Sequence, residues 1–288
     1  MTKYNFELDF KKENSLSIII GFIKKGSKIL EFGPANGRLT KYLKNEMNCE
    51  IDIVEIDETS GKEASLYARK SLIGEKFGNI DNELWVDELE NEKYDYIIFA
   101  DVLEHLKNPV RILSLAKEFL KLNGSICFSI PNLAHNSVII DLFNNKFNYT
   151  EIGLLDKTHI SFFTYESIKK MVEKNDLTIT EERVVYGKVG DIEIQNYYDE
   201  VPYEVAEALK ERDYAEVYQY VFKLNKKNPL IQNKIIVDKK ILPTLESKIY
   251  IIENIDEDFL ENKILKSTYD YNTYSFNFDF MGYANIKL

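Results

Sequence analysis

An α/β fold, with a mostly parallel sheet covered by helices on both faces, is what this sequence predicts, and three observations predict it. From Lys28 to about Asn225, short apolar runs of strand character alternate with helical patterns, the signature of βαβ units. The first run, KILEF, leads into a turn with two glycines, Gly33 and Gly37, and then into the helical pattern GRLTKYLKNEM. About twenty residues past that turn a second run, EIDIVEI, ends near the acid Glu55, the spacing at which a strand-end carboxylate meets a ribose.

Taken in order, the strand candidates are KILEF, EIDIVEI, YDYIIFA and GSICFSIP, with helices expected over GRLTKYLKNEM, TSGKEASLYARKS and NPVRILSLAKEFLKLNG. The last helix carries Pro109 early and Gly124 just past its end, where a fixed φ and a left-handed cap are each favoured. After the fourth strand the sequence reads as helix FTYESIKKMVEKND, strand LTITEERVVYG, helix VPYEVAEALKERD and strand AEVYQYVFKLN, so a hairpin-like pair is expected at the sheet edge. Beyond Lys226 the pattern shifts to β-prone pieces rich in Tyr and Phe, KIIVDKK, SKIYIIEN and NTYSFNFDF. Two domains are therefore expected, residues 1–226 and a β-rich extension over 227–288.

The chain has 288 residues, 44% of them hydrophobic, and a net charge of −11. That is ample for a core, while the acidic balance argues against a passive nucleic-acid binder, which needs a basic face to neutralise phosphates. The longest apolar runs, such as LSIIIGFI, fall short of a membrane span and the N-terminal stretch lacks a signal-type apolar centre, so a cytoplasmic protein is expected. Cys49 and Cys127 lie in or beside strand runs and read as buried thiols.

In an open α/β sheet the ligand sits beyond the carboxyl ends of the strands, where four turns open: Glu31–Gly37, the segment after EIDIVEI, the region of GNID, and FADVLEHL. The first lacks the third glycine of a dinucleotide fingerprint and the Lys of a triphosphate loop. Glu31 beside it would repel a pyrophosphate and welcome a cation. Glu55 suits a ribose diol, since one carboxylate accepts from both hydroxyls. Together these ask for a ligand with adenosine at one end and a positive amino acid at the other.

The turn Glu31-Phe-Gly33-Pro-Ala35-Asn36-Gly37 resembles motif I of the class I S-adenosylmethionine-dependent methyltransferases, and YDYIIFADVLEHLKNPVRIL resembles their fourth-strand motif. The resemblance covers about Asn14 to Asn225. It is closest to bacterial methyltransferases of cell-surface glycan or capsule assembly, with PNLAHNSVIIDLF and LLDKTHISFFT as further matches. It implies a Rossmann-like, seven-stranded, mostly parallel sheet, S-adenosylmethionine as cofactor and S-adenosylhomocysteine as product. It further implies cofactor contacts from Glu31, Gly33, Asn36 and Gly37 around the methionine half, Glu55 and Ile56 at the ribose and adenine, Asn79 and Ile80 at the adenine, and Asp101 beyond the fourth strand. Ala35 and Asn79 depart from the family pattern, which often has glycine and an acid there.

The three histidines, His105, His135 and His159, all fall in segments expected at the carboxyl edge of the sheet. A hydroxyl acceptor gains from a base in the transition state, and His159, preceded by Asp156 and Lys157, is the first candidate, with His105 second. His135, Lys157, Asn132 and Phe163 are the candidate acceptor contacts. No resident metal is expected; the alternative is a set of Asp101, Glu104 and His105, spaced i, i+3, i+4 on one helix face if a helix begins there, joined by His135 or His159. The function expected is O-methylation of a sugar, nucleotide sugar or capsule precursor, on a small-molecule or carbohydrate-linked acceptor. A methyltransferase-like scaffold without turnover is the alternative, and an NAD-dependent oxidoreductase the third reading. A homodimer and a longer multidomain chain are both open.

Overall fold

The computed structural model describes residue 8, residues 12–227, and the strand segments 266–270, 275–280 and 282–287. Contacts divide the chain into two units, Met1–Lys227 and Asn228–Leu288.

In the first unit the order is α1 (Ser15–Phe22), β1 (Lys28–Phe32), α2 (Arg38–Asn45), β2 (Glu50–Glu55), α3 (Glu58–Ser65), β3 (Lys70–Ile73), α4 (Gly74–Phe77), α5 (Trp85–Glu88), β4 (Tyr94–Ala100), α6 (Pro109–Glu118), β5 (Leu120–Pro131), α7 (Asn136–Phe143), α8 (Tyr165–Lys174), β6 (Leu177–Tyr186), α9 (Tyr203–Lys210) and β7 (Val217–Lys226). The seven strands lie in the order β3-β2-β1-β4-β5-β7-β6. All pairings among the first five are parallel, and β7 runs antiparallel to both β5 and β6. The hairpin-like edge pair of the sequence is present, with its second strand inserted between β5 and β6.

The central strand runs are apolar on both faces because these strands feed two cores. Leu30, Phe32, Ile97, Phe99, Ile126 and Phe128 pack with Trp85, Leu113 and Met171 on one side. Their alternating neighbours Ile29, Ile51, Ile53, Ile98 and Cys127 pack with Ile19, Leu39, Leu43 and Ala64 on the other. Phe32 stacks on Phe99 at 4.6 Å between centroids, and Trp85 meets Phe32 edge-on at 4.9 Å, a pairing favoured by the ring quadrupoles. Both cysteines are free and buried. Among the described residues no helix is long and apolar enough to cross a membrane.

Helix starts follow their caps. Asn108 accepts from Arg111 N–H ahead of Pro109, and Thr164 with Ser167 forms a capping box at α8. Two expectations are corrected: NPVRILSLAKEFLKLNG is helical only to Glu118, so Gly124 lies inside β5 and caps no helix, and TSGKEASLYARKS is helical only to Ser65, while Lys70–Ile73 is a strand. That strand has four residues and only Leu72 is buried, too short and too polar for an apolar run to reveal.

In the second unit, β8 (Lys266–Asp270), β9 (Ser275–Phe280) and β10 (Gly282–Lys287) form an antiparallel sheet in the order β10-β9-β8. NTYSFNFDF thus contains β9, while KIIVDKK and SKIYIIEN lie outside the described residues. Because the seven-stranded sheet ends with β7, a chain cut after Lys227 is expected to melt cooperatively and remain soluble; circular dichroism would check this, and aggregation of the cut chain would contradict it.

Candidate functional site

Strand order reverses between β1 and β4, and beyond their carboxyl ends lies a cavity of about 670 Å³, within the range of small-molecule sites. All four turns singled out in the sequence reach it. It is lined by Glu31, Gly33 and Ala35 from the first turn, Glu55 and Ile56 from the second, Asn79 and Ile80 from the third, and Asp101, Glu104 and His105 from the fourth. Asp156 and His159 close the far end.

The first turn is held by the acid that ends β2. Glu55 Oε2 accepts from Ala35 N–H and Oε1 from Asp57 N–H, each at 2.9 Å, which leaves each oxygen a lone pair for a further donor. Ala35 sits at φ 50°, Gly33 at 62° and Gly37 at 80°, so the turn carries left-handed backbone in which glycine is at ease and alanine is not. The second corner is similar. Asp101 has φ 56°, and its Oδ1 accepts from Ser129 Oγ at 2.6 Å and Gln219 Nε2 at 2.9 Å. Gln219 belongs to the late antiparallel β7, so no local sequence signal could have assigned it here; Arg38, Asp57, Asp81, Thr158, Ile152 and Tyr218 are likewise lining residues that sequence reasoning missed.

Glu31 is 2% exposed, and Thr40 Oγ1 donates to its carboxylate at 2.7 Å. Burial lifts its pKa to about 7, against the Thr40 hydrogen bond, with Glu55 adding to the rise and Arg38 opposing it. Burial likewise raises Glu55 and Asp101. Because the Glu31 value is raised on folding, the native state holds a proton that the unfolded chain releases; this stability is complete below the ordinary carboxyl range and is lost as pH rises through about 7. A cation seated against Glu31 reverses that preference and expels the proton. Affinity for a cationic ligand is therefore expected to rise with pH toward about 7 and level off above it. Calorimetry in buffers of differing ionisation enthalpy would measure the released proton, and Glu31→Gln should remove its share of the slope.

At the far end the His105 and His159 rings meet edge-on at 4.8 Å between centroids. His105 Nδ1 bonds Thr158 O at 3.1 Å and His159 Nδ1 bonds Leu154 O at 3.3 Å. A carbonyl can only accept, so each Nδ1 carries a proton. His159 is 8% exposed, and its Nε2 lies 4.0 Å from Glu104 Oε1. Asp156 is buried and accepts from Thr158 N–H and Oγ1, which fixes the backbone just before His159.

Several expected site residues lie elsewhere. Fully buried His135 caps α7, its Nδ1 accepting from Ser137 N–H, while its Nε2 bonds Gly187 O at 2.6 Å; burial lowers its pKa, the state of a neutral structural imidazole. Asn132 is fully buried and donates to Val217 O at 2.8 Å. Phe163 belongs to the main core. Lys157 pairs with Glu151 at 2.7 Å and does not line the cavity. Asn36 and Gly37 also stand off the cavity; a Cβ on Gly37 would lie 2.6 Å from Ala64 Cα, so this glycine permits α2 to pack on α3. The one-face helix expected for Asp101, Glu104 and His105 is absent, since Leu103–His105 is a single 3-10 turn and α6 begins at Pro109. Glu104 and His105 meet His159 instead.

A family model described as a methyltransferase domain matches residues 10–182. A ubiquinone biosynthesis O-methyltransferase of Pasteurella multocida (strain Pm70) is 29% identical over 114 residues, covering 37% of this chain and 47% of that protein; the chain thus spans about half the length of this curated relative. Two solved structures share the fold. A SAM-dependent methyltransferase from Archaeoglobus fulgidus superposes with a TM-score of 0.50 at 18% identity over 73% of this chain and 91% of that one. A Bacillus halodurans C-125 protein assigned as a methyltransferase gives 0.52 at 13% identity over 74% and 99%.

Proposed function

Because the chain belongs to the class I S-adenosylmethionine-dependent methyltransferases, we propose that its cavity holds that cofactor between the Gly33 turn and Ile80 and methylates an oxygen of an acceptor lodged between Asp101 and His159. The observation that carries this reading is a single cavity with a ribose-type acid, Glu55, at one end and a two-histidine, one-carboxylate cluster at the other.

When bound, S-adenosylmethionine supplies an electrophilic methyl on a sulfonium, and its departure leaves S-adenosylhomocysteine. The chain's own residues do the rest. Glu55 takes ribose hydroxyls on its remaining lone pairs, half-exposed Ile56 offers an apolar face to adenine, and Asn79 stands beside it. Glu31, ionised when a cation arrives, holds the positive amino-acid end. His159 and His105, each fixed through Nδ1, point lone pairs at the acceptor end, where a positioned imidazole is worth about 10²- to 10⁴-fold to a hydroxyl acceptor.

A sugar or carbohydrate-linked acceptor is the reading favoured by PNLAHNSVIIDLF and LLDKTHISFFT. A second reading has its own observation: half-exposed Ile152 lines the acceptor end, and Phe147 and Tyr149 are exposed a few residues before it, surfaces that suit an apolar or aromatic acceptor. Transfer of labelled methyl from S-adenosylmethionine to a panel of nucleotide sugars, oligosaccharides and hydroxylated aromatics separates them. Labelling confined to hydroxylated aromatics would remove the carbohydrate reading, and labelling confined to sugars would remove the second.

Glu55→Ala should weaken S-adenosylhomocysteine by about 1.5–3 kcal/mol, the range for losing hydrogen bonds to a charged group. Unchanged affinity in the folded variant would take Glu55 out of the site.

A further inference from the structure

The acceptor end contains a carboxylate that the protein itself leaves unsatisfied. Glu104 is 1% exposed, and neither of its carboxylate oxygens has a hydrogen-bond partner, although buried polar groups are almost always paired. Its main chain is well anchored, with Glu104 O accepting from Ile160 and Ser161 N–H at 2.9 Å, so the side chain is aimed into the cavity by the same loop that brings His159. One ligand atom each from Glu104, His105 and His159 lies within 4.8 Å of the others. That is only slightly wider than the roughly 3–4.4 Å between ligands in a sphere of 2.0–2.2 Å bonds.

We propose that Glu104, His105 and His159 form a divalent-cation site, with the remaining coordination positions turned to the acceptor's oxygens. Three features beyond proximity support it. Both imidazoles donate Nδ1–H to a backbone carbonyl, Thr158 O and Leu154 O, the arrangement that orients a metal-ligating histidine and presents Nε2. Asp101 and Asp156 stand near enough to act on Glu104 electrostatically, so a cation would offset several acids at once. Two imidazoles and one carboxylate suit Mn²⁺, Fe²⁺ or Zn²⁺ and leave open positions for exchangeable oxygen ligands. A hydroxyl bound there loses its proton more readily, and a neighbouring hydroxyl on the acceptor would complete a chelate that fixes the attacking oxygen. The proton passes to solvent or buffer and the methyl to the oxygen, so the metal's oxidation state does not change.

The assignment of the open positions to the acceptor rests on the proposed function, whereas cation binding itself does not. The test uses the full chain stripped with chelator and titrated with Co²⁺, read by visible absorption, with S-adenosylhomocysteine calorimetry on the same samples. One Co²⁺ per chain is expected, with affinity at least tenfold weaker in Glu104→Gln and in His105→Ala, and with S-adenosylhomocysteine affinity unchanged in both. His105 is only partly buried, so that variant reports even if Glu104→Gln fails to fold. Absence of saturable Co²⁺ binding in protein that binds S-adenosylhomocysteine, or equal binding by His105→Ala, would overturn the metal site. One Co²⁺ per chain without S-adenosylhomocysteine binding would leave the metal site standing and remove the cofactor reading.

Discussion

Gly37→Val is expected to abolish S-adenosylhomocysteine binding and to lower the melting temperature together. Gly37 is the N-cap of α2 at φ 80°, backbone that costs a β-branched residue about 1–3 kcal/mol. The new Cβ would also lie 2.6 Å from Ala64 Cα and 2.8 Å from its Cβ. The first of these is main chain, so relief requires α2 and α3 to part, and the turn that Glu55 holds through Ala35 moves with them. Gly33→Val should act more locally: its Cβ would meet Val102 Cγ2 at 2.7 Å, a side chain that lines the cavity and can rotate only into it or into the core. Loss of binding with a smaller fall in melting temperature is the expected result there, since Gly33 at φ 62° carries the same backbone strain but meets a side chain and not main chain. Calorimetry and thermal melts on both variants check this, and full affinity in either would show that the turn is not the pocket.

His159→Ala is expected to lower turnover by about 10²-fold or more while cofactor affinity stays close to that of the parent, because the ring faces the acceptor end and not the adenosine end. The same variant separates two chemistries. With His159 as a metal ligand, chelator silences the parent enzyme, Mn²⁺ or Zn²⁺ restores it, and Glu104→Gln fails whatever ion is added. With His159 as a simple base, chelator does nothing to the parent. Catalysis that instead depended on Lys157 holding an anionic acceptor is disfavoured by the structure, since Lys157 is paired with Glu151 outside the cavity. Full turnover in His159→Ala, insensitive to chelator, would leave positioning alone as the source of rate.

What the sequence disclosed was local chemistry. Glycines at fixed offsets, a strand-end acid and a D-x-x-E-H pattern each announce themselves within a few residues, and all of their turns reach the cavity. What it concealed depends on distant chain. Gln219 reaches Asp101 only because β7 is threaded between β5 and β6. Asn132 and His135 carry polar groups that suit a site, but each is consumed by backbone partners in the 187–218 region, which the sequence gives no means to foresee. The carboxylate of Glu104 was placed on a helix face by spacing alone, and a single 3-10 turn redirected it toward His159. Spacing arguments fail where the assumed element is one turn long.

The central claim, that one cavity binds S-adenosylmethionine through the Gly33–Gly37 turn and Glu55, is tested most directly by calorimetry of the full chain with S-adenosylhomocysteine and, in parallel, NAD. One S-adenosylhomocysteine per chain at about micromolar affinity, no NAD binding, and a weaker S-adenosylhomocysteine complex in Glu55→Ala are the predicted results. NAD binding without S-adenosylhomocysteine binding, or a Glu55→Ala protein that binds S-adenosylhomocysteine as tightly as the parent, would contradict it.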